Sequence, residues 1–480
     1  MDFLNLFVIT PEIFVLFMSC LILMLGVFLK KNTASVSYCL AQVTLICSAL
    51  LSYKCFAILH SISFTVFGNT FISDPLSVFL KIFIDIAMIF TFWYAEIYND
   101  ENNIPANEFY VLGLLATLGM MVLVSAFNFI TLFLGMELMS LPIYAMVALM
   151  RSKERCIEAA MKYFIIGSVA TGILLYGLSM FFGATHSLNI ANVAKAISTI
   201  SPTQNLILIF GLVFVIAGIA FKLGAAPFHM WVPDVYDGAP NSVTLLISAA
   251  PKIAALGLAF RFLLYAAPAF TIQWSHVLLV IALLSIAVGN FAAIIQTNIK
   301  RLLAYSSIAQ MGYMLLGLAC GTARGDAAAL FYMVTYALTS LGVFGMIILL
   351  SKTDFDGSDL KDFSGLGTRQ PWLALMMLLL MFSLAGIPPM VGFIAKVSIL
   401  EALMSVHLVW VSIVAIVFAI IGSYYYIRVV KVMYFESSEE NITAISCPTN
   451  LKLAMSINGL AVLALGIFPS QLFVLCHTVF

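Results

Sequence analysis

Long apolar runs, each ended by polar residues or by Pro and Gly, follow one another along nearly the whole chain. About fourteen can be laid out, because a bilayer core of about 30 Å takes a helix of about twenty residues. They cover 11–29, 36–58, 75–97, 109–125, 128–150, 161–182, 205–228, 241–265, 275–297, 302–320, 326–350, 371–404, 407–430 and 451–475. The runs are continuously apolar and lack the alternation of a transmembrane strand, so the pattern predicts an all-α integral membrane protein. The first run follows no basic segment and precedes no small-residue cleavage site, so it is expected to be a retained helix.

Two runs are interrupted. The seventh leads into FKLGAAPFHMWVPDVYDGAP, where Gly224, Pro227 and Pro233 work against a regular helix. The twelfth, 371–404, would be about 51 Å long as a straight helix, too long for the core without a break. Gly386, Pro388 and Pro389 supply the break. Non-helical backbone at membrane depth is tolerated only where protein or a water-filled cavity surrounds it. Paired interruptions in two halves are the sequence pointer to a transporter with its ion path at the breaks. Span 12 comes five spans after span 7, an odd interval, so a repeat relating them must be inverted.

Composition narrows the class. With 63% hydrophobic and 9% charged residues and a mean hydropathy of +1.10, a water-soluble fold is excluded. Lys+Arg number 22 and Asp+Glu 22, so no net basic field points to nucleic acid. The eight cysteines form no C-x-x-C pair and mostly lie in apolar runs, which argues against metal, iron-sulfur and disulfide frameworks.

The placement of charge gives orientation, because Lys and Arg accumulate in cytoplasmic loops. Lys30, Lys31, Arg151, Lys153, Arg155, Lys162, Lys300, Arg301, Lys352, Lys361, Arg369, Arg428, Lys431 and Lys452 fall in one set of alternate loops. Only Lys195, Arg261 and Arg324 fall in the other. Both termini are therefore expected on the side opposite the cytoplasm.

Five lysines remain within spans: Lys54, Lys81, Lys222, Lys252 and Lys396. A lysine or carboxylate at the centre of a span costs about 2.5–3.5 kcal/mol on insertion scales, so each needs a partner, a cavity or a function. Lys54 is near a span end and can snorkel. Lys81 and Asp85 are four residues apart on one helix and are expected to pair. Glu137 lies about 14 Å into its span and has no basic neighbour within a turn, so its partner must come from another helix. Lys222 immediately precedes the first interruption, Lys252 follows Pro251, and Lys396 follows the second interruption. His229, in the first interruption, can relay protons or cap the break. Glu401, shortly after Lys396, can accept a proton from it or face the headgroups. The other histidines form no ligand set.

The stretches FKLGAAPFHMWVPDVYDGAPNSVTLLISAAPKIAAL, NFAAIIQTNIKRLLAYSSIAQMGYMLLG and MFSLAGIPPMVGFIAK resemble the antiporter-like membrane subunits of respiratory complex I, NADH:quinone oxidoreductase. The resemblance runs over nearly the whole chain. Asn241-Ser242-Val243-Thr244 replaces the TPVSAL-type sequence common in this family, and span 12 carries Lys396 where one relative has glutamate; both narrow the choice within the family. The resemblance implies fourteen helices, with two inverted five-helix repeats over helices 4–8 and 9–13. The corresponding segments are 1–108, 109–265, 266–432 and 433–480. It also implies a midplane axis of one glutamate and several lysines, which falls on Glu137, Lys222, Lys252 and Lys396. The implied partners are other membrane subunits of the complex and the lipid of a bacterial inner membrane, with both termini periplasmic.

No nucleotide loop, flavin motif, haem ligand or cluster ligand is found, so no cofactor is expected on this chain. FMN, iron-sulfur clusters and quinone are implied in other subunits, with proton movement as this chain's share. An ion pair of Glu137 with Lys222 is the expected switch, since unit charges 4 Å apart interact by about 4 kcal/mol at an effective dielectric of 20. A subunit of a multicomponent sodium/proton antiporter or membrane-bound hydrogenase shares the axis, but Asn241–Thr244 and Lys396 argue against it. A free-standing secondary transporter would not require the row of lysines, and a purely structural subunit gives no reason to retain it.

Overall fold

The structure is a computed structural model that describes residues 3–28, 33–58, 63–199, 205–351, 357–437 and 448–480. Lys30, Lys31, His60, Lys352 and Cys447 lie outside the described residues. Among the described residues, 13 helical segments are long and apolar enough to cross a membrane, and one further span is broken into two shorter helices.

The first six are continuous: α1 (Thr10–Phe28), α2 (Thr33–Ile58), α3 (Pro75–Glu101), α4 (Ala106–Val124), α5 (Phe129–Val147) and α6 (Glu154–Thr185). A short hairpin of β1 (Phe64–Val66) and β2 (Phe71–Ser73) joins α2 to α3, with Phe64 opposite Ser73. Asp74 caps α3 by accepting from Ser77 N, while Ser77 Oγ accepts from Asp74 N.

α7 (Leu206–Leu223) ends at Gly224, whose φ of 75° is left-handed, and the chain resumes as α8 (Trp231–Gly238). A Cβ at Gly224 would lie 2.7 Å from Val232 Cγ2, so both space and φ require glycine. The eighth span is also divided, into α9 (Asn241–Ser248) and α10 (Ala250–Phe260), followed by a π-helical turn at Arg261–Ala266. α11 (Thr271–Ile294), α12 (Ile299–Ala319) and α13 (Ala323–Leu350) follow. The twelfth span breaks as expected, into α14 (Pro371–Ala385) and α15 (Val391–Ser405), with Gly386 at φ 82°. α16 (Val409–Phe435) and α17 (Thr449–Ile467) complete the bundle.

Two helix hairpins pack most closely, and in both glycine lets the backbones approach. A Cβ at Gly119 of α4 would sit 2.1 Å from Met139 N of α5. One at Gly289 of α11 would sit 2.6 Å from Ala309 N of α12. The second helix of each hairpin starts alike. Asn128 caps α5 at Ile130 N and bridges to Asn189, and Asn298 caps α12 at Arg301 N and bridges to Asp359.

Burial sets the centre of the molecule. The window at 241–266 is 100% buried and those in α12 and α13 are 94% buried, against 28% in α1 and α2. Helices buried on all sides carry Lys252, Ser306, Ser307 and Gln310; the outer ones present apolar faces such as Phe17, Leu50 and Ile420.

Two expectations are corrected here. Lys81 pairs with Glu12 of α1 at 2.6 Å rather than with Asp85, because α1 brings a carboxylate against the lysine from across the bundle. Arg261 is not a loop residue: it is fully buried, and its guanidinium donates to both carboxylate oxygens of Asp74 at 2.6 and 2.7 Å. Its Nε donates to Val124 O at 2.9 Å. A bidentate carboxylate and a carbonyl together make that burial tolerable.

Candidate proton path

Lys222 occupies the last turn of α7 and is 8% exposed. Its Nζ donates to Ser140 Oγ of α5 at 2.7 Å and stands 5.9 Å from the Tyr144 ring centre. Trp231 holds the break beside it: the indole Nε1 donates to Phe221 O at 3.0 Å and the ring stacks on Tyr163 at 4.5 Å. Glu137 is one turn before Ser140 on α5 and is partly buried. Its charge acts on Lys222 through space, but Lys222 is hydrogen-bonded to Ser140 and makes no direct ion pair with Glu137. The contact ion pair expected from sequence is therefore not made: Ser140, one turn along α5 from Glu137, takes the Lys222 ammonium instead.

Lys252 lies in the first turn of α10, just past the break at Ala249 (φ −123°, ψ −80°). It is 1% exposed, donates to Ser307 Oγ of α12 and to Tyr336 OH of α13 at 3.5 Å, and faces the rings of Tyr236 and Tyr336. The adjacent Ser306 is bonded to Tyr426 OH of α16. Tyr426 OH also accepts from Gln310 Nε2 at 2.9 Å, and the same amide donates to Leu384 O at 3.0 Å. Tyr332 OH donates to Gln310 Oε1.

Lys396 meets this network from the far side. Its Nζ donates to Leu384 O at 3.0 Å and to Ala385 O at 2.9 Å, the last carbonyls of α14, and it lies 5.3 Å from the Tyr313 ring centre. These carbonyls have lost their helical partners at the break, and a cation there also meets the negative end of the helix dipole. A Cβ at Gly386 would lie 2.8 Å from Lys396 Cδ, so glycine makes room for the lysine as well as for the turn.

Three cavities bear on this part of the bundle, one of them lined by Lys396. One of about 10 Å³, lined by Gln310, Tyr332, Thr335, Tyr336, Thr339 and Ser383 among others, is of a size for about one water. A pocket of about 310 Å³ is lined by Tyr98, Lys153, Arg155, Asp237, Asn241 and Lys300, on the face that carries the basic loops. A third, of about 300 Å³, opens beside Lys396 between α14, α15 and α16 and is mostly apolar.

The structure thus puts Lys252 and Lys396 on two hydrogen-bonded clusters that flank the small polar cavity beside α12, with Glu137 and Lys222 on the neighbouring helices α5 and α7. The two relay candidates lie outside both clusters. His229 is partly exposed in the first break, with Nδ1 buried and without a hydrogen bond. Glu401 is exposed and bound to Arg324 at 2.8 Å.

Comparisons with known proteins bear on the whole chain. A family model described as NADH:quinone oxidoreductase/Mrp antiporter, TM, matches residues 126–422, which include all four residues of the row. NADH-quinone oxidoreductase subunit N of Coxiella burnetii is 58% identical over 472 residues, spanning 98% of each chain. The chain belongs to the antiporter-like membrane subunits of NADH:quinone oxidoreductase. Another subunit N, from Herminiimonas arsenicoxydans, is 48% identical over 99% of this chain and 98% of its own. Among solved structures, respiratory complex I from Thermus thermophilus contains a chain that is 29% identical, with TM-score 0.81, covering 96% of this chain and 98% of that one. A chain of the Mrp complex from Dietzia sp. superposes with TM-score 0.85 over 99% of this chain and 96% of that one, but at 19% identity it carries the fold alone. As an antiporter-like complex I subunit, this is a multi-pass membrane protein on the proton-translocating side of the enzyme.

Sequence reasoning had passed over Ser306, Ser307, Gln310, Tyr332, Tyr336 and Tyr426. A signal was available: Ser306, Ser307 and Gln310 put three polar side chains in mid-span, where apolar ones are the rule.

Proposed function

We propose that protons move through this subunit along the row Glu137, Lys222, Lys252 and Lys396, driven by quinone reduction in other subunits of the complex. The observation that carries this reading is that two polar clusters on α12 flank one small polar cavity: Lys252 is bonded to Ser307 and Tyr336, and Lys396 shares Leu384 O with Gln310, which is bonded to Tyr332 and Tyr426. A hydroxyl passes a proton by accepting one hydrogen bond and donating another. The serine and tyrosine hydroxyls are suited to that step, together with a water in the small polar cavity. The Gln310 amide fixes Tyr332 and Tyr426 in line. Glu137 acts on Lys222 by its field, so a change in its protonation or in its neighbours alters how firmly Lys222 holds its proton.

Of the two relay candidates, His229 suits the role better, because its buried Nδ1 makes no hydrogen bond, whereas Glu401 is bound to Arg324. In this reading the chain binds no cofactor, and FMN, iron-sulfur clusters and quinone belong to other subunits. Its partners are neighbouring membrane subunits and lipid, not nucleic acid. The matched hairpins and caps of α4/α5 and α11/α12 support two inverted repeats, 109–265 and 266–432, flanked by 1–108 and 433–480. The enzyme is placed in a bacterial inner membrane as a proton translocase.

The test is proton translocation by complex reconstituted in vesicles. Lys396→Ala and Gln310→Leu should each lower pumping at least about tenfold, since positioned proton carriers contribute factors of about 10²–10⁴. Assembly and NADH oxidation by artificial acceptors should be retained. Normal pumping in an assembled Lys396→Ala complex would remove the lysine from the path.

A further inference from the structure

A second buried constellation of ionisable groups stands apart from the row, inside the bundle of α1 to α4. Glu12 of α1 is 5% exposed, and Lys81 and Asp85 of α3 are 2% and 0% exposed. Lys81 Nζ is 2.6 Å from Glu12 Oε1 and 4.9 Å from the Phe71 ring centre. Asp85 lies one turn further along α3, and neither of its oxygens receives a hydrogen bond. Ser48 stands beside it, but that hydroxyl donates to Met121 Sδ at 3.7 Å. Ser52 Oγ, one turn away on α2, is likewise buried without a partner.

Among the described residues, the surrounding groups offer no further counter-charge. On α2, Lys54 is exposed on the opposite side, and Cys55 is a buried thiol within the field of Glu12 and Lys81. The titratable groups of α4 are Glu108 and Tyr110, in its first turns. From behind α3, Arg261 is taken by Asp74, and Lys252 points to Ser307 and Tyr336. Two carboxylates and one ammonium therefore share a pocket sealed from solvent, with one positive charge too few. A buried uncompensated charge is tolerated only if it is neutralised.

We propose that Glu12, Lys81 and Asp85 form a buried proton-holding site in which one proton is shared between the two carboxylates and Lys81 pairs with whichever is ionised. In the arrangement observed Lys81 is with Glu12, and the proton is assigned to the unpartnered Asp85. Its transfer breaks the O–H bond on Asp85 and forms one on Glu12, while the ammonium swings back to Asp85, one turn away on its own helix. No redox change is involved. The proton advances by about one helical turn, about 5–6 Å, towards the hairpin end of the bundle. The site is independent of the α12 network, so it stands or falls separately from the row.

Infrared difference spectroscopy of the intact complex, between acid and alkaline pH and in ordinary and heavy water, tests this. Wild-type complex should show a carboxylic-acid carbonyl band that shifts in heavy water and is lost in Asp85→Asn. Glu12→Gln should also remove it, because Lys81, deprived of its partner, turns to Asp85 and displaces the proton. An Asp85→Asn spectrum identical to wild type would overturn the proposal. So would a band that survives Glu12→Gln, or one that disappears when sodium is raised at fixed pH, which would assign the site to a metal cation. If Asp85→Asn does not assemble, the Glu12→Gln spectrum decides alone.

Discussion

Each lysine of the row is held by a different kind of partner. Lys222 has a serine hydroxyl, Lys252 a serine and a tyrosine, and Lys396 two backbone carbonyls. Only Lys222 has a carboxylate acting on it, and that carboxylate is not in contact. Coupling between Glu137 and Lys222 should therefore be electrostatic and intermediate in strength. Glu137→Gln and Lys222→Ala should each slow proton translocation, with the double variant no worse than the poorer single one, because members of one functional unit are not additive. Effects that multiply in the double variant would show that the two act independently. The lysines and the glutamate were legible in the sequence because charge in an apolar run stands out. Their partners were not: serine and tyrosine are common in membrane helices, and a carbonyl freed by a helix break has no sequence signature beyond the break. The assignment of Lys81 to Asp85 failed for a related reason, since spacing along one helix says nothing of a carboxylate supplied by another.

At the scale of elements, the breaks at Gly224 and Gly386 were readable because glycine and proline cluster there. The break at Ala249 was not, because Pro251 is followed by ordinary helix formers and proline is tolerated in a first helical turn. The sequence also could not show that α10 ends in a π turn whose Arg261 is anchored to the cap of α3. That clamp joins the N-terminal helices to the helix bearing Lys252. Arg261→Gln should leave Asp74 buried and unpaired, at a cost of about 3–5 kcal/mol, and lower the thermal stability of the assembled complex. Asp74→Asn combined with Arg261→Gln should recover part of that loss. A double variant as unstable as the sum of the singles would mean that the two residues act separately.

At the scale of the whole molecule, the basic loops define a polarity that the burial of Arg261 sharpens, since it leaves only Lys195 and Arg324 on the opposite side. A reporter active only in the periplasm, fused after Phe480, should be active; one active only in the cytoplasm should be silent. The reverse result would invert the side assigned to the pocket at Lys300. The same ordering of partners along the chain also governs manufacture. Lys396 finds its carbonyls 11 and 12 residues back, and Lys222 finds Ser140 82 residues back, so both can be satisfied as they leave the ribosome. Lys252 cannot: Ser307 is 55 residues ahead. At about 5–20 residues per second, that lysine spends about 3–11 s in the translocon or at its lipid edge before its partner is made. Lys252 is therefore the lysine of the row for which an insertion chaperone, or a pause in synthesis, matters most.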